Sequence, residues 1–189
     1  MNRVVCLLAV VAAASLGPIT GEVSGDAWLG EKPAVDAVIW LEAPEAPRPV
    51  PRQPVVMDLR NMAFAPRVLV IRKGSTVSFP NNDRVYHDVL SDHDGQTVSL
   101  GAYPAGTVQQ IRFDRPGLSR IFCQIHPQMA AYVLVVDSPY FAVTDSNGRF
   151  TMASVPFGEY RYHAWRPGGP TLDRTVVVSA ATRLEVRWP

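Results

Sequence analysis

Cysteine is nearly absent: the 189-residue chain has two, Cys6 and Cys123. Cys6 lies in the opening "MNRVVCLLAVVAAASLG", where basic Arg3 precedes a short apolar run and then small residues. That is the pattern of a secretory signal peptide, too short to span a bilayer comfortably. Residues 1–20 are therefore expected to be removed, with the cut between Ala14 and Gly21. Ala12-x-Ala14 fits the small-residue rule, and Pro18 argues against cleavage after Gly17. Cys6 sits too early for a lipoprotein box and would leave with the signal. An exported chain with one remaining thiol cannot form an internal disulfide. Cys123 is then an idle buried thiol, an intermolecular link, a nucleophile or a metal ligand.

Other absences narrow the class further. No later run is apolar for long enough to cross a membrane, so a soluble protein of the periplasm or cell exterior is expected, with no membrane span. Lys and Arg total 18 against 17 Asp and Glu, without a basic run, which excludes a nucleic-acid partner read by charge. Helical periodicity is scarce. What is present instead is short alternation: "AVIWLE", "RVLVIRKG", "STVSFP", "TVQQIRFD", "AYVLVVD", "RFTMAS", "EYRYHAW", "TVVVSA" and "RLEVRW". Turn signals separate these runs, among them Lys73-Gly74, Asn81-Asn82-Asp83, Pro116-Gly117, Asn147-Gly148 and Pro167-Gly168-Gly169. The fold class is all-β, a sandwich or barrel. "EAPEAPRPVPRQP", Glu42 to Pro54, is too proline-rich for a central strand and reads as an extended linker. A second boundary falls at Asp137-Ser138-Pro139.

Residues 55–137 carry the chemistry. A lone His87 lies in the first half, and the second half brings Cys123, His126 and Met129 at spacings of three. Two imidazoles and a thiolate with a weak axial thioether form the donor set of a blue-copper electron-transfer site. Thiolate and thioether favour Cu(I), while imidazole accepts either oxidation state. Zinc would lack a good fourth ligand, since a thioether serves it poorly. A Cys/His nucleophile pair needs a substrate cleft and an oxyanion hole, and no motif here offers one. A binuclear copper centre needs a second loop cysteine, and Ile125 and Gln128 are not that. His93, in "SDHDG", reads as part of a solvated loop. His163, in "EYRYHAW", reads as a strand residue.

The phrases Phe64-x-Pro66, Gly74-x-Thr76-Val77-x-Phe79, Asn82-Asp83 and His87-x-Val89 resemble the first half of a cupredoxin. The spacing Cys123, His126, Met129, with Pro127 directly after the second histidine, is similar to the ligand loop of the amicyanins. The resemblance implies a Greek-key cupredoxin sandwich over residues 55–137 with one type 1 copper. His87 and His126 would be the nitrogen ligands, Cys123 the thiolate and Met129 the axial sulfur. Two residues depart from the pattern. Asp88 stands where many members have an asparagine whose side chain ties the two ligand loops, and an ionised carboxylate cannot donate that bond. Ile125 replaces a proline before the second histidine, so its N–H is free to point at the Cys123 sulfur.

The flanks resemble a transthyretin-like, carboxypeptidase-regulatory-like sandwich, split around the insertion. The resemblance rests on the Ala37-Val38-x-Trp40-Leu41 strand, Thr144-Asp145-x-x-Gly148-x-Phe150 and Val155-Pro156-x-Gly158-x-Tyr160. Residues 21–42 would open this second small β-sandwich, 43–54 form the linker, and 138–189 complete it. As a whole the chain resembles exported cupredoxin proteins of the methylamine-utilization type, which implies a link to amine oxidation. The expectation is a monomeric one-electron carrier between redox partner proteins, not an enzyme. A copper carrier or sensor, or an adhesion module stabilised by copper, are the alternatives from other classes.

Overall fold

The structure, a computed structural model, describes residues 19–43 and 53–189. The expected signal segment through residue 18 and most of the proline-rich linker, 44–52, lie outside the described residues. Among the described residues there is no helix, and hence none long and apolar enough to cross a membrane.

Three strands precede the linker: β1 (Thr20–Leu29), β2 (Lys32–Pro33) and β3 (Val38–Leu41). The middle of the chain forms β4 (Val55–Val56), β5 (Asp58–Arg60), β6 (Ala63–Ala65), β7 (Val68–Arg72), β8 (Ser75–Pro80), β9 (His87–His93), β10 (Gln96–Tyr103), β11 (Val108–Phe113), β12 (Gly117–Cys123) and β13 (Ala130–Val136). The last third adds β14 (Phe141–Val143), β15 (Arg149–Pro156), β16 (Gly158–Trp165), β17 (Leu172–Val178) and β18 (Ala181–Trp188). The all-β expectation holds.

Pairing separates the chain into two groups of sheets. Strands from the two flanks pair with each other, in the orders β15-β1-β18 and β14-β3-β16-β17. Between them, β10-β9-β12-β13-β7 and β11-β8-β4 face each other, with the small β5-β6 hairpin beside them. In the outer sandwich Gly25 of β1 has a packing reason: a Cβ there would lie 2.1 Å from the Leu184 carbonyl oxygen. No other residue lets β18 run alongside β1 at that distance. The Asn147-Gly148 turn forms as its sequence suggests. Gly148 has φ 74°, and Asp145 Oδ1 accepts the N–H groups of Asn147 and Arg149.

Each sandwich has its own core. Val23, Ile39, Leu41, Phe150, Tyr162 and Trp188 belong to the outer one; Met57, Leu59, Phe79, Val89, Ile121 and Val133 to the inner one. A third apolar cluster joins them. Val38 and Trp165 from the outer sandwich meet Val68, Val70, Leu134 and Val136 from the inner one, all buried. Tyr132 and Trp165 cross this joint edge to face, their ring centroids 5.4 Å apart. At ~1.5–3 kcal/mol per fully buried aliphatic or aromatic side chain, these contacts favour a fixed seating of one sandwich on the other over free swinging.

His93 corrects an expectation. It is not in a solvated loop but closes β9, buried, with Nε2 3.3 Å from the Pro116 carbonyl oxygen. Its inward position follows from β9's alternation, in which His87, Val89, Ser91 and His93 share the buried face. The aspartates beside it mark the outward face and the hairpin turn. His163 lies in β16 as expected, stacked on Trp40, with Nε2 2.8 Å from Glu42 Oε1 and Nδ1 bonded to Asp173.

Trp165→Ala should therefore cost ~3–5 kcal/mol of stability, measured by denaturant unfolding. Because Trp165 packs on both sandwiches, amide exchange should quicken on either side of the joint. Loosening confined to the outer sandwich would show that the joint does not couple them.

Candidate metal centre

His87 begins β9 and Cys123 ends β12, and these strands are antiparallel neighbours with Cys123 opposite Val89. Residues 87 and 89 share the inward face, so this register sets the thiol beside the imidazole although 36 residues separate them. His126 follows in the loop between β12 and β13. Hydrogen bonds pin that loop at both ends. Gln124 N–H donates to the Asp88 carbonyl (2.9 Å), Met129 N–H to the His126 carbonyl (3.0 Å), and Cys123 N–H to the Met129 carbonyl (3.2 Å).

The result is a compact triangle of donor atoms. Cys123 Sγ lies 3.7 Å from His87 Nδ1 and 3.6 Å from His126 Nδ1, and the two nitrogens are 3.2 Å apart. A point equidistant from all three lies ~2.0 Å from each, the length of a metal–imidazole bond. The donor atoms thus fit a metal ion by size as well as by type. Among the described residues these three form the single such group of His, Cys and carboxylate side chains. His87 and Cys123 are buried; His126 is half-exposed and presents its far edge to solvent. Two nitrogens and one thiolate suit copper, which takes both imidazole and soft sulfur.

Met129 is buried in the same core cluster as Cys123, Val89 and Tyr103. Its backbone closes the loop in both directions, as above. Tyr103, opposite His87 on β10, donates its hydroxyl to the Phe79 carbonyl at 3.1 Å. Burial, and then the negative charge of the Cys123 thiolate, push the Tyr103 phenol far above its ordinary range, so it stays a neutral donor.

Asp88 resolves differently from the expectation of a weakened tie between the ligand loops. Its main-chain carbonyl holds the Cys123 loop through Gln124, and its carboxylate turns to β10, accepting the Ser99 hydroxyl at 3.3 Å. The tie is made by backbone, which any residue supplies. The Ile125 N–H does not serve the thiolate: among the described residues, Cys123 Sγ has the two imidazoles as its polar neighbours.

Two residues of the site went unassigned in the sequence. Asn81 is fully buried and organises the loop leading to His87. Its side-chain amide donates to the carbonyls of Val85 (2.9 Å) and Tyr103 (3.2 Å), and its Oδ1 accepts the Asp83 N–H (3.1 Å). Asp83 carries its Oδ2 2.9 Å from His87 Nε2. Burial alone would raise the Asp83 carboxyl. The amide N–H of Met62, the His87 ring and the amide N–H of Asn61 together bring it below its ordinary range. The available signal was the Asn81-Asn82-Asp83 stretch ahead of His87, which the sequence offers as a turn and, in Asn82-Asp83, as part of the cupredoxin-like pattern, without a role for either side chain.

Asn81→Ala should leave the Val85 and Tyr103 carbonyls without these donors and cost ~1–3 kcal/mol. Thermal or denaturant unfolding of the full chain measures it. A neutral result would mean that water replaces the amide.

The family model described as "Polysaccharide lyase family 4, domain II" matches residues 130–186, running from β13 into β18. No curated protein matches the chain in sequence. Among solved structures, the chain is similar to the purple cupredoxin from Nitrosopumilus maritimus. Identity is 22%, over 43% of this chain and 99% of that one, with TM-score 0.40. It is similar to a Cu(I) amicyanin variant at 19% identity, over 53% of this chain and 99% of that one, with TM-score 0.41. It is also similar to the copper-containing nitrite reductase from Thermus scotoductus SA-01, at 29% identity and TM-score 0.42. That match covers 51% of this chain and 25% of the reductase, so the chain spans about a quarter of its length. The structural neighbours of this all-β chain are cupredoxins, and its own residues bring His87, Cys123 and His126 into one metal-sized cluster.

Proposed function

We propose that this protein is an exported blue-copper carrier, passing one electron at a time between redox partner proteins. The observation that supports it most is the donor triangle: two imidazole nitrogens and a thiol, spaced for one ion and buried except at His126. Bound there, a type 1 copper would supply a Cu(I)/Cu(II) couple. The protein's part is to hold the donors still, which the hydrogen bonds of the Cys123–Met129 loop and the Asn81 side chain do. Met129 is proposed as the axial sulfur.

The half-exposed edge of His126 is the proposed exit for the electron. Around it Pro127, Gln128 and Ala130 are exposed, with Ile125, Val85 and Tyr86 exposed on the two ligand-bearing loops. These six side chains are uncharged and mostly apolar, with the exposed Arg84 beside Val85, which suits brief docking of a partner. The chain is read as a monomer in the periplasm or outside the cell, and not itself an enzyme. Its whole-chain sequence resemblance makes an amine-oxidising system the first donor to try.

The test begins with colour. Copper-loaded full-length protein should absorb strongly in the visible through sulfur-to-copper charge transfer, and Cys123→Ser should abolish the band while leaving the fold intact. A colourless loaded wild type would overturn the blue-copper reading. Met129→Gln should keep the colour and lower the potential, because an oxygen donor favours Cu(II). A tenfold change in relative affinity corresponds to ~59 mV for one electron, and a shift of about that size is expected in voltammetry. An unchanged potential would remove Met129 from the axial position. Copper that exchanges rapidly with a chelator, without a reversible couple, would favour delivery over electron transfer.

A further inference from the structure

His87 is fully buried, and both of its ring nitrogens face polar atoms. Nδ1 points into the donor triangle and Nε2 meets the Asp83 carboxylate at 2.9 Å. An ionised carboxylate only accepts, so Nε2 must carry a proton, and in the neutral ring Nδ1 then has the lone pair. Asp83 is itself held from another part of the chain. Asn61 N–H donates to its Oδ1 at 2.7 Å and Met62 N–H to its Oδ2 at 3.0 Å. Asn61 and Met62 are the turn of the β5-β6 hairpin, with φ of 54° and 58°. Left-handed backbone at both positions is the geometry of a tight hairpin turn and is unusual for a methionine. It aims two successive N–H groups at one anion, as in other anion-binding backbone concavities.

We infer that Asp83 is a positioning residue for the metal centre: clamped by the Asn61-Met62 turn, it fixes His87 as the Nε2–H tautomer with Nδ1 free to bind the ion. The inference rests on reading the triangle as a metal site, but its first consequence is independent of any metal. The three donors converging on Asp83 leave no room for an amide to substitute. An asparagine with its oxygen at the Oδ2 position would keep Met62 and His87 but turn its NH₂ on the Asn61 N–H; flipped, it would keep Asn61 and turn its NH₂ on the Met62 N–H and the His87 ring. If the NH₂ faces His87, Nε2 must accept and the proton moves to Nδ1, into the space the ion needs.

The experiment uses the full-length protein without added metal. Imidazole ¹⁵N shifts at neutral pH should show His87 protonated at Nε2. In Asp83→Asn the signal should move toward the Nδ1–H tautomer. Cu(I) affinity, measured by competition with a chromogenic chelator, should fall by ~10–100-fold, the usual effect of losing such a partner of a ligating histidine. Nδ1–H in the wild type would overturn the inference even if Asp83→Asn failed to fold. So would a folded Asp83→Asn with unchanged tautomer and unchanged affinity. If the tautomer shifts as stated while neither protein binds copper, Asp83 still positions His87 and the copper reading alone fails.

Discussion

From Val133 to Val136 strand β13 is buried on both faces, and much of the molecule is arranged around that. Its inward residues, Ala131, Val133 and Val135, belong to the core of the inner sandwich. Its outward residues, Leu134 and Val136, belong to the joint with the outer sandwich. Met129, which closes the loop bearing Cys123 and His126, immediately precedes it. One strand therefore anchors the donor loop, fills a core and seats a second sandwich. Its partner β7 likewise faces both a core and the joint, with Ile71 inward and Val68 and Val70 outward.

The outer sandwich acquires a physical role from this arrangement. A five-stranded sheet with Val68, Val70, Leu134 and Val136 on its open face would present an apolar patch to water. The outer sandwich covers that patch with Val38, Trp165 and the half-buried Trp40 and Phe141. The cover stops short of the donor end, where Phe122 and Ala130 remain partly or fully exposed. The site is left open at His126 while the far part of the same sheet is closed.

At the site, rigidity comes from distributed hydrogen bonds. The Cys123 loop is held by three main-chain bonds, the His87 approach by the Asn81 amide, and the His87 ring by Asp83. At Asp88, which lacks the asparagine amide, the backbone carbonyl supplies one tie between the ligand loops. A sequence comparison sees the missing asparagine amide; it does not see that a carbonyl common to every residue makes the bond instead.

Strand alternation and turn chemistry determined the class of this protein from sequence, since both depend on near neighbours. Nine alternating runs each fall on a strand, and Asn147-Gly148 makes its turn. The donor types were equally legible, because a thiol, two imidazoles and a thioether keep their chemistry wherever they sit. What depends on which strands become neighbours is not written in any one segment. The resemblance implied that His87 and Cys123 meet, and the β9-β12 register is what sets them side by side; packing on the inner face of β9 buries His93, although aspartates flank it. Asp83 becomes a histidine's partner because a hairpin more than twenty residues upstream folds against it. The run at 133–136 is apolar at every position, which by itself does not say what covers it. What covered it, Trp165 and Val38 from the two ends of the chain, was settled by tertiary packing, because burial is a property of surfaces brought together and not of any one segment.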